Sequence, residues 1–274
     1  MHTPPARTIT QSGAYAIRPY KYSPSKNMIK ALQQVGEYVL LMRKALTRPT
    51  RWSMFFKQLV REIYKLGVDS IWIVVIISIF IGTVIAIQIS LNISSPLIPK
   101  FTIGYTTREI ILLEFSSSIM CLILAGKVGS NITSEIGTMR VTEQIDALRV
   151  LATNPIGYLV VPRLIACMVM VPLLTVFGDV VGVLGGWLVA SGGRGISSYL
   201  YWHSIDMFAV PHDLTGGLVK AAVFGVIIAL LGCYCGLKSP EGAEGVGVAT
   251  TRSVVSAIIM IFCANCFLSL MLYQ

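Results

Sequence analysis

From Ser70 to Pro99 the chain carries no charged residue. About 20 apolar residues cross the ~30 Å of bilayer hydrocarbon, so residues 70–91 are expected to form a first membrane span. Further apolar segments at 105–126, 157–191, 214–237 and 252–273 predict four more. The second is the weakest of them, because Arg108, Glu109 and Glu114 interrupt it. Between Arg163 and Arg194 the only charge is Asp179. At 1.5 Å per residue that stretch makes ~45 Å of helix, too short for two crossings, so it reads as one long helix bent near Pro172. The fold class expected is an all-α integral membrane protein with about five transmembrane helices.

Ahead of the spans, residues 28–47 and 51–67 repeat apolar positions at helical spacing among Lys and Arg. Segments of this kind lie in the membrane interface, with basic residues toward headgroups and aromatic ones toward acyl chains. An ordinary helix packed on a protein partner is the alternative. Residues 1–27 read as a disordered cytoplasmic tail, although an acid-free, Ser- and Arg-containing start also suits an organelle transit peptide.

One polar block stands between two spans, from about Ser130 to Ala152. Val141, Ile145, Leu148 and Ala152 share a helical face, while Glu135, Arg140, Glu143, Asp146 and Arg149 fall mostly off it. Asn154-Pro155 marks a stop and a fresh helix start. Pattern alone leaves this block balanced between an inert surface helix and a docking surface.

Composition sharpens the picture. Charged residues make up 13% of the chain, against about 25% in soluble domains. Formal net charge is +9, and residues 1–69 hold 12 of the 22 Lys and Arg. A basic segment beside a membrane points to the cytoplasm. The amino terminus is therefore expected inside, with 127–163 and 238–251 cytoplasmic and the carboxyl terminus outside. Nucleic acid is an unsuitable partner, because no soluble domain is left over to bind it. All six cysteines lie in apolar stretches and read as packing residues, including Cys263-x-x-Cys266. The three histidines are scattered, so no metal site is expected. No Gly-x-x-x-x-Gly-Lys-Ser/Thr loop occurs, so the chain has no Walker nucleotide site. The Gly-rich Gly242–Gly247 segment reads as a tight turn.

A carboxylate inside a span costs ~2.5–3.5 kcal/mol on insertion scales and defaults to a functional role. Glu114 is the chief candidate, set against a hydrated Glu near the outer headgroups. Gln88 in the first span reads as a helix–helix hydrogen bond or a weaker pathway residue. Gly178, Gly182 and Gly186 recur every four residues, which suits close helix packing within the subunit or, secondarily, between subunits. Asp179 beside them reads as a buried structural acid rather than a proton relay. Three function classes remain: an energised permease subunit, an ion-driven secondary transporter, and a non-transporting scaffold for a cytoplasmic enzyme. Paired intramembrane acids and inverted repeats would mark the second, and neither is evident.

The run Ala125-Gly126-Lys127-Val128-Gly129-Ser130, Glu135-Ile136-Gly137-Thr138-Met139, Val141 through Leu148, Asn154-Pro155, Tyr158-Leu159 and Pro162-Arg163 closely resembles the MlaE (YrbE) permease family of MCE-associated ABC transporters. Gly242 through Gly247 with Ala249-Thr250-Thr251-Arg252, and Phe80-Ile81-Gly82 with Gln88, extend the resemblance to about residues 30–274. It implies a homodimeric, non-enzymatic permease of a bacterial inner membrane, moving phospholipids between membranes in maintenance of outer-membrane asymmetry. It implies a separate cytoplasmic ABC ATPase carrying ATP and Mg, a periplasmic MCE-domain partner, and room for a STAS-domain regulator. Glu135–Leu151 would be the coupling helix between spans two and three, with Glu135, Arg140, Glu143, Asp146 and Arg149 as the contacts. Glu114, Gln88, Leu113 and Ser117 would line the lipid path. The family's Arg-Glu-x-Gly-Pro stands here as Leu113-Glu114-Phe115-Ser116-Ser117, so an Arg–phosphate contact at 113 is lost and Arg108 is the substitute to test.

Overall fold

A helical hairpin end, a long rod and three further long helices build the bundle, and every element among the described residues is helical. The computed structural model describes Gly36 and residues 52–93, 102–151, 155–193, 196–207 and 211–272. Apart from Gly36 these fall in one unit, Tyr38–Gln274. The expected tail over 1–27 and the first amphipathic segment lie outside the described residues.

Helix α1 (Trp52–Gly67) passes through a short 3-10 turn, Val68–Ser70, into α2 (Ile71–Asn92), the first span. α1 is amphipathic in an unusual sense. It turns Phe56, Val60 and Tyr64 outward, and buries Glu62 with Leu66 against the bundle. A second rod, α3 (Thr102–Val141), carries both the second span and the start of the polar block without a break. Two π-helical stretches, Ile111–Ile119 and Ala125–Gly129, interrupt its regular winding. Such wide turns cluster at functional sites.

The polar block is therefore not one separate helix, as expected from its sequence. It ends α3, reverses at Thr142–Glu143, where Glu143 adopts φ 58, and resumes as α4 (Gln144–Val150). The left-handed residue breaks the face shared by Val141 and Ile145. Ile145 is buried, whereas Val141 is 38% exposed.

Helix α5 (Pro155–Gly193) is a single 39-residue helix containing both Pro162 and Pro172. α6 (Ser198–Met207) packs on the first turns of α3, and α7 (Pro211–Leu237) and α8 (Gly242–Leu272) complete the bundle. Five helices are long and apolar enough to cross a membrane, so the chain is a multi-pass membrane protein. The Gly242–Gly247 segment is helical rather than a turn. Gly242 at φ 87 does the reversing. One residue in the left-handed region suffices, because glycine has no Cβ to oppose it, and the chain is free to wind from there.

The closest approach of two helices is that of α2 to α5 at Gly82 and Gly182. A Cβ on Gly82 of α2 would collide with the Gly182 carbonyl. Gly178 faces Ser78 and Val74, and Gly186 faces the Gly82 carbonyl, so all three glycines serve contact within the chain. Buried Leu124, Val128, Ile132, Val160, Phe224 and Ile228 fill the core between α3, α5 and α7.

A polar cluster inside the bundle: the candidate functional site

The bundle has two ends. The turn between α7 and α8, the tip around α4 and the start of α5 mark one, which is the block end. The start of α3, α6 and the start of α7 mark the other. Glu114 lies on the π-helical stretch of α3, in the half away from the block. Lys220 of α7 places its ammonium 2.9 Å from Glu114 Oε1 and also donates to Ser269 Oγ at 2.9 Å and to the Leu113 carbonyl at 3.4 Å. Ser269 of α8 donates to Glu114 Oε1 at 3.0 Å. Asn265, one turn earlier on α8, donates to Glu114 Oε2 at 3.0 Å, and Ser118 does so at 3.2 Å.

Three elements thus converge on one carboxylate. The arrangement is asymmetric. The Lys220 side chain is 0% exposed, whereas that of Glu114 is 45% exposed. The base is sealed behind the acid, and the acid reaches the open face. An ionised carboxylate within the membrane needs this much compensation: a cation and three neutral donors offset its desolvation.

The sequence singled out Glu114 but not the residue that pairs with it. Lys220 lies in the first half of α7, and nothing local links residues more than a hundred positions apart. Asn265 and Ser269 gave a weak signal only, as polar residues one turn apart in an apolar helix. Ser117, expected on the pathway, is buried at 1% exposure. Ser118, at i+4 from Glu114, takes the place facing the acid. Arg108 does not approach Glu114. It is buried and pairs with Asp213 at 3.9 Å. Gln88 is exposed, and with Phe80, Val84, Ile85, Ile110 and Phe115 it lines an apolar hollow of about 430 Å³ between α2 and α3. Asp179 is buried in hydrogen-bond contact with Ser116, and its Oδ1 has no partner among the described residues. Cys121, Cys167, Cys233 and Cys235 are buried, while Cys263 and Cys266 are exposed on α8.

The residues expected to contact an ATPase divide into two groups. Glu143, Asp146 and Arg149 stand exposed at the tip, where Arg149 Nη1 pairs with Asp146 Oδ1 at 2.7 Å. Val150 and Leu151 project beside them at 87% and 73% exposure. Arg140 instead donates to the Leu237 carbonyl and ties α3 to the α7–α8 turn. Glu135 turns inward. Its Oε2 lies 2.9 Å from both Lys65 Nζ and Arg163 Nη2. Its carboxylate is the right type at the right place in the block, but helical phase points it at α1 and α5 rather than outward.

Comparison with known proteins agrees with this architecture. The family model described as Permease MlaE matches residues 59–271. A probable ABC transporter permease protein of Rickettsia conorii is 38% identical over 247 residues, covering 89% of this chain and 93% of the relative. A probable ABC transporter permease protein of Synechocystis is 40% identical over 213 residues, covering 78% and 81%. The protein TRIGALACTOSYLDIACYLGLYCEROL 1, chloroplastic, of Arabidopsis thaliana is 32% identical over 257 residues, covering 93% and 71%. The Lys220–Glu114 pair, the exposed tip and these likenesses lead to one conclusion: the chain belongs to the MlaE permease family and is a permease subunit of an ABC transporter.

Proposed function

We propose that this permease moves phospholipid, with Glu114 and Lys220 as the polar station for the headgroup. The half-open ion pair carries the reading. A lipid headgroup presents a phosphate and, in the common zwitterionic lipids, an ammonium. The phosphate suits Lys220 and the ammonium suits Glu114, so a headgroup can replace each partner of the protein's own pair. Asn265, Ser269 and Ser118 hold the carboxylate in place while Lys220 turns away, and the apolar walls accept the acyl chains. The plant relative's name, which is that of a galactosylated diacylglycerol, is in keeping with a lipid cargo.

The tip supplies the other half of the reading. Exposed Val150 and Leu151 beside Glu143, Asp146 and Arg149 form a small apolar centre with a charged rim, the usual composition of a docking surface. An ATPase subunit holding ATP and Mg would seat there, and ATP hydrolysis would occur in that subunit alone. Two copies of the permease would form the path, in a bacterial inner membrane with the tip and amino terminus cytoplasmic. An MCE-domain protein would continue the path on the outer side, and a STAS-domain regulator would be a further partner.

Reconstitution of the permease with its ATPase in proteoliposomes tests the proposal. ATP-dependent transfer of labelled phospholipid, with native mass spectrometry showing bound phospholipid, is expected. Absence of both would overturn it. Replacing Glu143 and Asp146 by Lys is expected to release the ATPase during purification while leaving bound lipid unchanged. Intact co-purification would remove the tip from the interface.

A further inference from the structure

A second charged cluster lies at the block end, and transport chemistry has no use for it. Arg163, on the first third of α5, is 1% exposed and faces Glu62 of α1, which is 2% exposed, with Nε 3.3 Å from Oε1. Gln58 donates to the same Glu62 oxygen at 3.1 Å. The guanidinium then reaches out of this pocket to Glu135 of α3, 2.9 Å from Nη2, and Lys65 of α1 meets the same Glu135 oxygen. Glu135 and Lys65 are each 35% exposed in their side chains.

The four charges do not divide evenly over the fold. Glu62, Lys65 and Arg163 belong to α1 and α5, which pack directly on each other. Glu135 belongs to the lower end of α3, which packs on α7 and α8. It is the one member of the cluster carried by the helix that ends in the tip. It is also about one-third exposed, whereas Arg163 and Glu62 are sealed. A buried charge that loses its partner is strongly destabilising. Here Arg163 keeps Glu62 whether or not Glu135 stays, and Glu62 Oε2 has no hydrogen-bond partner among the described residues. That oxygen is in reserve to accept Nη2 when Glu135 leaves. Glu135 in turn leaves toward solvent, and Lys65 is long and hydrated enough to follow it or let go.

We propose that Glu135 is a releasable latch. It fastens the tip-bearing helix α3 to the α1–α5 pair in one state of the transport cycle and lets it go in another. Arg163 is the positioning residue that holds the latch and Glu62 its standby partner. In this arrangement α1 is more than a membrane-surface anchor. It stays with α5 while α3 is released, and the ATPase reaches it through Glu135. The inference rests on the reading that the tip seats an ATPase.

The latch and its standby predict opposite faults. Glu135→Gln removes the charge that fastens the two halves. In the reconstituted complex it is expected to keep ATP hydrolysis within about twofold of the parent while lipid moved per ATP falls at least fivefold. Glu62→Gln removes the standby, so release of Glu135 becomes harder. ATP hydrolysis and transfer are then expected to slow together, with their ratio unchanged. Glu135→Asp, which keeps the charge, is expected to recover at least half of the transfer per ATP. Parent-like coupling in Glu135→Gln, or the same fault in both Gln variants, would overturn the latch. Loss of the ATPase from Glu135→Gln would also overturn it, by making Glu135 a docking contact. A distance measurement covers variants that fail to assemble. With Cys263 and Cys266 changed to Ser, spin labels at Arg61→Cys and Ser134→Cys leave the cluster intact. Their separation is expected to differ between nucleotide-free and ATP-trapped complex, and an unchanged separation would overturn the proposal. Absence of lipid transfer by the parent complex with a nucleotide-dependent change in label separation would instead reject the lipid reading and keep the latch.

Discussion

At the block end, Glu135 joins a neutral group of two acids and two bases whose centre is dry. About 30 Å away along the same helix, Glu114 faces one base and three neutral donors and is nearly half open. In the first cluster the sealed residues are one acid and one base, Glu62 with Arg163. In the second the sealed residue is a cation, Lys220, and the carboxylate it meets, Glu114, is half open. A dry pair of opposite charges is a structural joint. A dry cation behind an accessible anion is, on the proposed reading, a station where a headgroup exchanges partners. The difference lies in which partner water reaches, and not in the amount of charge.

Single substitutions measure that difference. Arg163→Met leaves Glu62 buried without a counter-charge, so it is expected to cost about 3–5 kcal/mol and to remove most folded permease from the membrane, as read by size-exclusion yield and thermal unfolding in detergent. Lys220→Met leaves an anion that can turn to the open face. Its cost is expected to be smaller, about 1.5–3 kcal/mol for the charged hydrogen bonds lost, while lipid transfer falls more than tenfold. Equal destabilisation by the two would erase the distinction. Glu114→Ala is expected to lower transfer about tenfold, with an unfolding midpoint within a few degrees of the parent. Full transfer by that variant would return Glu114 to a hydrated bystander. The smallest effect belongs to Lys65→Ala, whose pair with Glu135, one-third exposed on each side, contributes about 0–1 kcal/mol. A larger loss of stability would place Lys65 in the dry joint rather than at its rim.

The spans were legible because a bilayer demands long uninterrupted apolar runs, and the five observed helices follow those runs. Glycines 178, 182 and 186 were legible as a packing stripe, since their spacing returns them to one face. What the chain pattern could not show is pairing at a distance. Lys220 and Glu114 are held on different helices, and only the crossing of α3 and α7 brings them together. Likewise Glu135 looked like a surface acid of the polar block. Its inward direction depends on the winding of α3 above it, where two π-helical stretches change the phase. The Thr142–Glu143 reversal gave no composition signal either, because glutamate is an uncommon residue at positive φ and no glycine marks the spot.

The near-contact of Gly82 with the Gly182 carbonyl has a practical consequence. Two backbones that close cannot slide or part without losing the packing that glycine alone permits. The first and third spans therefore act as a fixed chassis, and motion during a transport cycle belongs to the helices around them. Probes placed on α2 and α5 are expected to keep one separation across nucleotide states and so to supply an internal ruler. Against that ruler, displacement of any other helix can be read in ångströms without a reference outside the molecule.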